Sequence, residues 1–149
     1  MIALDKALRA AIRAHGRQAY PEECCGALIG EKGGKMDHVT AVEPVENSET
    51  DSRRRRFRIS PEDYRRLERL AADGGRDLLG FYHSHPDHPA VPSEHDRRHA
   101  LPFFHYVVLR VVEGEPSEMS SWILSEDRGV FERERLVVAG DGESARGED

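Results

Sequence analysis

The sequence has few cysteines, no long apolar run and no internal repeat. Its only two cysteines, Cys24 and Cys25, are adjacent in a chain of 149 residues, so a disulfide between them would be strained and a disulfide-stapled scaffold is excluded. Such cysteine usage fits a reducing compartment, and we expect a cytoplasmic protein. No apolar stretch approaches the roughly 18 residues that span a bilayer, and Met1–Lys6 reaches charge too early for a signal peptide. No repeat of roughly 20 to 50 residues is visible, which excludes solenoid folds.

An excess of positive charge is also absent. The chain carries 22 lysines and arginines against 28 acidic residues, a formal net charge of −6. This argues against nucleic acid or an acidic membrane as a partner, because both are polyanions. Residues 140–149 alone contribute −3, four acids less one arginine, and we expect residues 139–149 to form a disordered acidic tail. The one basic run, Arg53–Arg56, either steers an acidic partner or lies in a solvated loop.

The apolar periodicity of residues 1–138 predicts one mixed α/β domain, with a mixed β-sheet flanked by about three helices. Two of the three predicted helix starts are marked: the second by Ser60 and Pro61, the third by Ser93 at an N-cap position. The predicted helices cover residues 4–18, 61–72 and 94 to just before Pro102. The predicted strands cover residues 24–30, 36–43, 77–82, 104–112, 118–124 and 129–138, with a short one at 57–59.

Five of the eight histidines lie between His83 and His99. His83 and His85 are two residues apart, so on an extended segment both imidazoles project from the same face. Asp96 follows at the first turn of the third predicted helix, where the loop can fold it back toward them. Two imidazoles and a carboxylate leave a fourth tetrahedral position open, the arrangement of a catalytic zinc site. A lone His-x-His is more often a solvated loop, but the added aspartate and the three prolines of the loop favour zinc.

Two other metal sites can be drawn from the same residues. His83-Ser-His85-Pro-Asp87-His88 fits the H-x-H-x-D-H signature of the metallo-β-lactamase superfamily, which needs further histidine ligands well downstream. The last histidine is His105, with 44 residues after it, so we discount that interpretation. His95 and His99 are four apart on one predicted helix and could also bind a metal, although an exposed helical pair is the simpler interpretation.

A zinc hydrolase also needs a base that takes a proton from water, usually a carboxylate. Glu22 and Glu23 lie between the first predicted helix and the first predicted strand. Glu23 directly abuts the apolar run Cys24–Ile29, where partial burial raises a carboxyl pKa toward a useful range. Acids beside helix ends are common, so the residues alone assign this role only weakly.

Together these segments resemble one known family. The segment Tyr20–Gly30, followed by the spacing His83-x-His85-x(10)-Asp96 with Ser93 three residues before the aspartate, is similar to the JAMM/MPN+ metalloproteases. The resemblance covers residues 1–138 and implies the JAMM/MPN fold, which is cytidine-deaminase-like. Carried over by position, it makes His83, His85 and Asp96 the zinc ligands. It makes Glu23 the residue that holds and deprotonates the catalytic water, and Ser93 the hydrogen-bond donor to the oxyanion.

The resemblance also implies a function. Every active-site position of the pattern is filled, so we expect a zinc-dependent peptidase or isopeptidase that acts after the C-terminal tail of a ubiquitin-like protein. The chain leaves little room for insertions that grip ubiquitin chains, which favours a sulfur-carrier protein as the substrate. The alternatives are a metal-bearing module that docks such a partner without cutting it, and a relative acting on DNA-repair or small-molecule substrates. Cys24 and Cys25 are expected to be core residues rather than redox-active ones.

Overall fold

Nine strands and three helices make up the part of the chain that the computed structural model describes, which is residues 1–49, 52–54, 56–139 and 146–148. In chain order they are β1 (Ile2–Asp5), α1 (Lys6–Ala19), β2 (Cys25–Glu31), β3 (Asp37–Val45), α2 (Pro61–Asp73), β4 (Asp77–Pro86), α3 (Glu94–His99), β5 (His105–Val112), β6 (Glu115–Leu124), β7 (Phe131–Glu134), β8 (Leu136–Ala139) and β9 (Arg146–Glu148).

All nine strands belong to one sheet, in the order β7-β6-β5-β4-β2-β3-β1-β8-β9. β1 runs parallel to both β3 and β8, and β4 runs parallel to β5. The other neighbours are antiparallel. The predicted mixed α/β domain with a mixed sheet and three helices is therefore confirmed.

The two longer helices cover opposite faces of the sheet. Ile12 of α1 packs in a core with Leu28 and Tyr82, whereas Leu67 of α2 packs in a second core with Ala27. The split follows from the alternation of side chains along a strand, which sends neighbouring residues of β2 to different faces. The result is a three-layer arrangement with the sheet in the middle.

The start predicted for the second helix is confirmed by its cap, whereas the first helix begins at Lys6, two residues later than predicted. The backbone N–H of Leu8 donates to Asp5 at 2.8 Å at the start of α1, and that of Asp63 donates to Ser60 Oγ at 3.1 Å at the start of α2. Such caps satisfy backbone donors that have no partner within the helix.

Three predicted elements are corrected by the structure. Residues 2–5 form β1, although the sequence predicts residues 4 and 5 as the start of the first helix. The apolar residues of β1 lead directly into the helical periodicity of α1, so no sequence signal separates the strand from the helix. Residues 57–59 are not a strand, because their backbone bonds to Ser48 and to the side chain of Asn47 instead of to a neighbouring strand. The single strand predicted at 129–138 is two strands, and these separate at Arg135 to join β6 on one side and β1 on the other.

The C-terminal region differs in part from the sequence prediction. Ala139 ends β8, and the backbone of Arg146–Glu148 pairs with β8 as β9, where a disordered tail was predicted. The rest of that tail, residues 140–145 and 149, lies outside the described residues, and there the prediction stays untested. None of the described helices is long and apolar enough to cross a membrane.

Candidate metal centre

Strand pairing places Glu23 and the two histidines of the predicted site side by side. β2 is antiparallel to β4, with Cys25 opposite His83. The pairing continues beyond β2, because the Ser84 N–H donates to the Cys24 carbonyl at 3.1 Å and the Cys24 N–H donates to Ser84 Oγ at 2.8 Å. Glu23 therefore comes to the strand end that carries His85.

A helix start brings Asp96 to the same point. The Asp96 N–H donates to Ser93 Oγ at 3.0 Å, and the Ser93 N–H donates back to Asp96 Oδ2 at 2.8 Å, a reciprocal cap at the start of α3. The cap holds Asp96 Oδ2 at 3.0 Å from His83 Nε2 and at 3.1 Å from His85 Nε2. The two imidazole nitrogens are 3.1 Å apart.

The size and chemistry of this cluster fit a zinc ion. Ligand atoms that lie about 2.05 Å from a tetrahedral zinc are about 3.3 Å from each other, close to the three distances in the structure. Together with Glu23, the group places one ligand atom of each residue within 4.8 Å of the others. Two imidazoles and a carboxylate are a donor set typical of catalytic zinc, although nitrogen and oxygen ligands also suit other divalent metals.

The cluster is buried and short of partners. Glu23, His83, His85 and Asp96 are each at most 6% exposed. Glu23 Oε1 and His83 Nδ1 are buried without a hydrogen-bond partner, and an unpaired buried polar atom costs about 1–3 kcal/mol. Two buried carboxyl groups, of which Glu23 has an unpartnered oxygen, are what a divalent cation would stabilise.

The surroundings of the two carboxyl groups shift their pKa values in opposite directions. Burial, and then the charge of Asp96, raises the pKa of Glu23 to about 9. Burial would also raise the pKa of Asp96, but the charge of His83 and hydrogen bonds from both histidines outweigh it and hold that pKa far below its usual range. Neighbouring carboxyl groups with separated pKa values are a common feature of functional sites.

The two histidines are oriented by different contacts. The Nδ1–H of His85 donates to the Pro89 carbonyl at 2.8 Å, which turns Nε2 toward the cluster as in many metal sites. The ring of His83 instead stacks on Phe57, with centroids 4.3 Å apart and planes 23° apart. Phe57 is a site residue that the sequence reasoning missed. Its one signal is an aromatic side chain in an otherwise polar segment.

The segment before Phe57 also contacts the site through the backbone of Glu23. The Glu23 N–H donates to the Arg53 carbonyl at 2.6 Å, and Asn47 Nδ2 donates to the Glu23 carbonyl at 3.2 Å and to the Arg56 carbonyl at 3.0 Å. The predicted basic run thus lies directly beside Glu23, with Arg53, Arg54 and Arg56 exposed and residue 55 outside the described residues. The role of Asn47 has no local sequence signal.

Ser93 lies half-buried at the rim of the cluster rather than in the group of four. Its oxygen accepts from the Asp96 N–H, which leaves the hydroxyl hydrogen free to donate. Capping and donation to a substrate are therefore compatible in this geometry.

The other metal sites considered from the sequence are not assembled. Both carboxylate oxygens of Asp87 accept bonds elsewhere, from the Tyr20 hydroxyl at 2.6 Å and the Glu113 N–H at 2.7 Å. His88 Nδ1 bonds to the Pro86 carbonyl at 2.7 Å. These contacts keep Asp87 and His88 out of the cluster and disfavour the H-x-H-x-D-H interpretation.

The remaining candidates also lie apart from the cluster. The rings of His95 and His99 lie against each other, 4.2 Å apart, and line a neighbouring cavity. Cys24 and Cys25 are buried and free, and burial raises the pKa of both thiols, that of Cys24 to about 11. Buried thiols of high pKa are unreactive, which agrees with the prediction that they are core residues.

Comparison with known proteins gives related sequences and structures. The family model of the prokaryotic homologs of the JAB domain matches residues 5–125. A desampylase from Haloferax volcanii is 35% identical over 96 residues, which are 62% of this chain and 67% of that protein. A CysO-cysteine peptidase from Mycobacterium bovis is 29% identical over 113 residues, 75% of each chain. The solution structure of a Desulfitobacterium hafniense protein has a TM-score of 0.82 and 29% identity, covering 95% of this chain and 94% of that one.

Proposed function

The chain belongs to the prokaryotic homologs of the JAB domain, and on that premise we propose that it is a zinc-dependent peptidase. Its proposed substrate is a ubiquitin-like protein of the sulfur-carrier type, cut at the peptide or isopeptide bond that follows the C-terminal tail. The observation that carries the proposal is the buried convergence of Glu23, His83, His85 and Asp96. The names of the two relatives, a desampylase and a CysO-cysteine peptidase, support the reaction and the substrate class.

Three side chains would hold the metal, through His83 Nε2, His85 Nε2 and Asp96 Oδ2. When bound, zinc supplies a Lewis acid that lowers the pKa of water toward 7 and polarises a carbonyl. The cap between Ser93 and Asp96 and the bond from His85 to Pro89 fix two of the three ligands before metal arrives. This preorganisation lowers the cost of assembling the site.

Glu23 would move the proton. Burial keeps Glu23 protonated near neutral pH in the metal-free site, and the charge of a bound divalent cation would favour its ionised form. The carboxylate, with Oε1 free of partners, would then accept a proton from the water whose oxygen bonds to the scissile carbonyl carbon. It then gives that proton to the nitrogen as the carbon–nitrogen bond breaks. A positioned acid–base group of this kind contributes about 10²- to 10⁴-fold to the rate.

Ser93 would stabilise the charge that develops on the carbonyl oxygen. Its oxygen is already engaged with the Asp96 N–H, so its hydroxyl hydrogen is directed by that bond and can donate to the oxyanion. Such a donor is typically worth about 3 kcal/mol in the transition state.

The basic segment beside Glu23 would guide the substrate. Arg53, Arg54 and Arg56 are exposed, and the first and last of them are fixed to the site through Glu23 and Asn47. Clustered positive charge raises the rate at which an acidic protein meets the site, and salt weakens that effect.

The experiment uses zinc-loaded protein and a sulfur-carrier protein extended past its C-terminal Gly-Gly by an amide-linked residue, with mass spectrometry of the products. Wild type and the matched control Glu22→Gln, which changes the exposed neighbour, should release the extension. Glu23→Gln should keep its zinc but cleave at least about 100-fold more slowly.

Two results would overturn the proposal. Binding of the carrier by zinc-loaded wild type without any cleavage would make the protein a docking module. Normal cleavage by Glu23→Gln would remove Glu23 as the base.

A further inference from the structure

A cavity of about 520 Å³ opens beside the metal cluster, between α2 and α3. Two residues of its lining connect the cavity to the cluster. Asp96 lines the cavity and is one of the four clustered residues, and Phe57 lines the cavity while stacking on His83. A bound chain whose scissile bond lies at the cluster therefore has this cavity within direct reach.

The walls of the cavity are mainly apolar and come from elements far apart in the sequence. Its volume falls within the range of roughly 300–1,000 Å³ that is typical of ligand pockets. The apolar lining consists of Phe57, Ile59, Pro61, Tyr64, Phe81, Ala100, Leu101 and Tyr106. Such walls favour large aliphatic or aromatic side chains, because burying them removes apolar surface from water.

The charged part of the lining carries more positive than negative charge. Arg58 and Arg65 line the cavity, are exposed, and have no carboxylate within 4 Å among the described residues. Glu68 is the one acid of the lining outside the metal cluster, and His95 and His99 form part of the wall. Two arginines against one glutamate favour a ligand with negative charge beside its apolar part.

We propose that this cavity binds the tail of the protein substrate through a large apolar side chain. We further propose that Arg58 and Arg65 select a tail with an acidic residue next to it over a tail with a basic one. The inference rests on the proposed function, because that function identifies the ligand as a Gly-Gly tail. The selection by charge follows from the two unpaired arginines, which would repel a lysine or arginine at that position.

Binding of three fluorescent tail peptides to zinc-loaded protein tests the inference. The peptides share a spacer and end in Glu-Leu-Gly-Gly, Arg-Leu-Gly-Gly or Glu-Ala-Gly-Gly, and their Kd values are measured by fluorescence anisotropy. The first should bind about fivefold tighter than the second, the size of an exposed charge interaction. It should bind at least about tenfold tighter than the third, which lacks the buried leucine side chain.

Variants assign the preference to the cavity. Arg65→Glu should abolish or invert the preference for the acidic peptide over the basic one. The matched control Arg69→Glu changes an exposed arginine one turn along α2 and outside the cavity, and should keep the preference. Ile59→Trp, which narrows the cavity, should weaken the leucine peptide more than the alanine peptide, and its thermal unfolding and zinc content report whether it is folded.

The inference and the proposed function fail separately. An unchanged preference in Arg65→Glu, or equal affinity for the leucine and alanine peptides, would overturn the inference whether or not the protein cleaves. Absence of hydrolysis of a minimal Gly-Gly amide by wild type would overturn the proposed function, and the Kd values would still decide the inference.

Discussion

The neighbouring parallel strands β4 and β5 have buried histidine next to carboxylate at both of their ends, with opposite outcomes. Near one end, His105 donates from Nδ1 to Glu134 at 2.6 Å and from Nε2 to Asp37 at 2.7 Å. Both ring nitrogens of this network are satisfied. Near the other end, the nitrogens of His83 and His85 converge on a single oxygen of Asp96, and two buried polar atoms of that cluster have no partner.

The difference separates a structural network from a functional one. His105 with both nitrogens donating is a charged imidazolium between two carboxylates, so its charges balance within the protein. Glu134 is further held by the Ser121 hydroxyl at 2.8 Å, and its Oε1 makes no hydrogen bond but forms an ion pair with the Met1 ammonium at 2.9 Å. The metal cluster has no such internal balance. A buried group that the protein leaves unsatisfied indicates a ligand from outside.

The largest expected effect is the difference in zinc content and activity between two variants, each of which removes one carboxylate from one of the two networks. Asp96→Asn should lose zinc on dialysis, and its kcat/KM should fall by well over about 100-fold. Even an outer-shell partner of a metal ligand is worth roughly 10- to 100-fold. Asp37→Asn, the matched change in the other network, should keep both zinc and activity. Elemental analysis and cleavage assays check this, and equal zinc content in the two variants would erase the contrast.

Disrupting the network around His105 should have the opposite effect, a loss of stability without a loss of zinc or activity. His105→Gln removes the cation between two carboxylates, so the free energy of unfolding should fall by about 3 kcal/mol in urea titrations. The folded variant should still bind zinc and cleave substrate. A variant of wild-type stability that had lost its zinc would contradict the structural role of His105.

The pH dependence of stability sharpens the same contrast. Burial alone would lower the pKa of His105, but hydrogen bonds and charges from Glu134 and Asp37 raise it above 6.5. Its contribution is therefore fully present below about pH 6.5 and is lost as the pH rises through the folded-state pKa. The stability difference between wild type and His105→Gln should shrink from pH 6 to pH 9. A difference that grew over this range would have the wrong sign.

The smallest expected effect concerns the ring that stacks on His83. Phe57→Leu removes the stack and should lower kcat/KM about threefold to tenfold, the size of an aromatic contact beyond burial, with zinc still bound at one per chain. Phe131→Leu is the control, because its ring contacts Tyr106 and not His83. Equal losses of kcat/KM in the two variants would contradict a role of Phe57 in the site.

The features of the site that the sequence predicted share a local cause. His83 and His85 lie on one face because strands alternate, and Asp96 is placed by a cap that Ser93 forms three residues away. Short-range rules of this kind are visible in a single sequence. The family resemblance is confirmed and four of the five predicted site residues are clustered in space, but the catalytic and ligand roles of all five stay predictions.

The parts that it missed depend on long-range contacts. Phe57 reaches His83, and Asn47 reaches Glu23, through an irregular segment without periodicity. His105 lies 68 residues from Asp37 and 29 from Glu134, so no local pattern joins them. The split of residues 129–138 at Arg135 is invisible in the sequence because both halves have strand character, and only the sheet order sends them to different neighbours.

Calorimetric titration of zinc into metal-stripped protein tests the central contrast most directly. Wild type and His105→Gln should each bind one zinc per chain with similar affinity, and His83→Gln should lose that binding. Zinc binding that survived in His83→Gln, or that disappeared in His105→Gln, would contradict the assignment of the unsatisfied cluster as the metal centre.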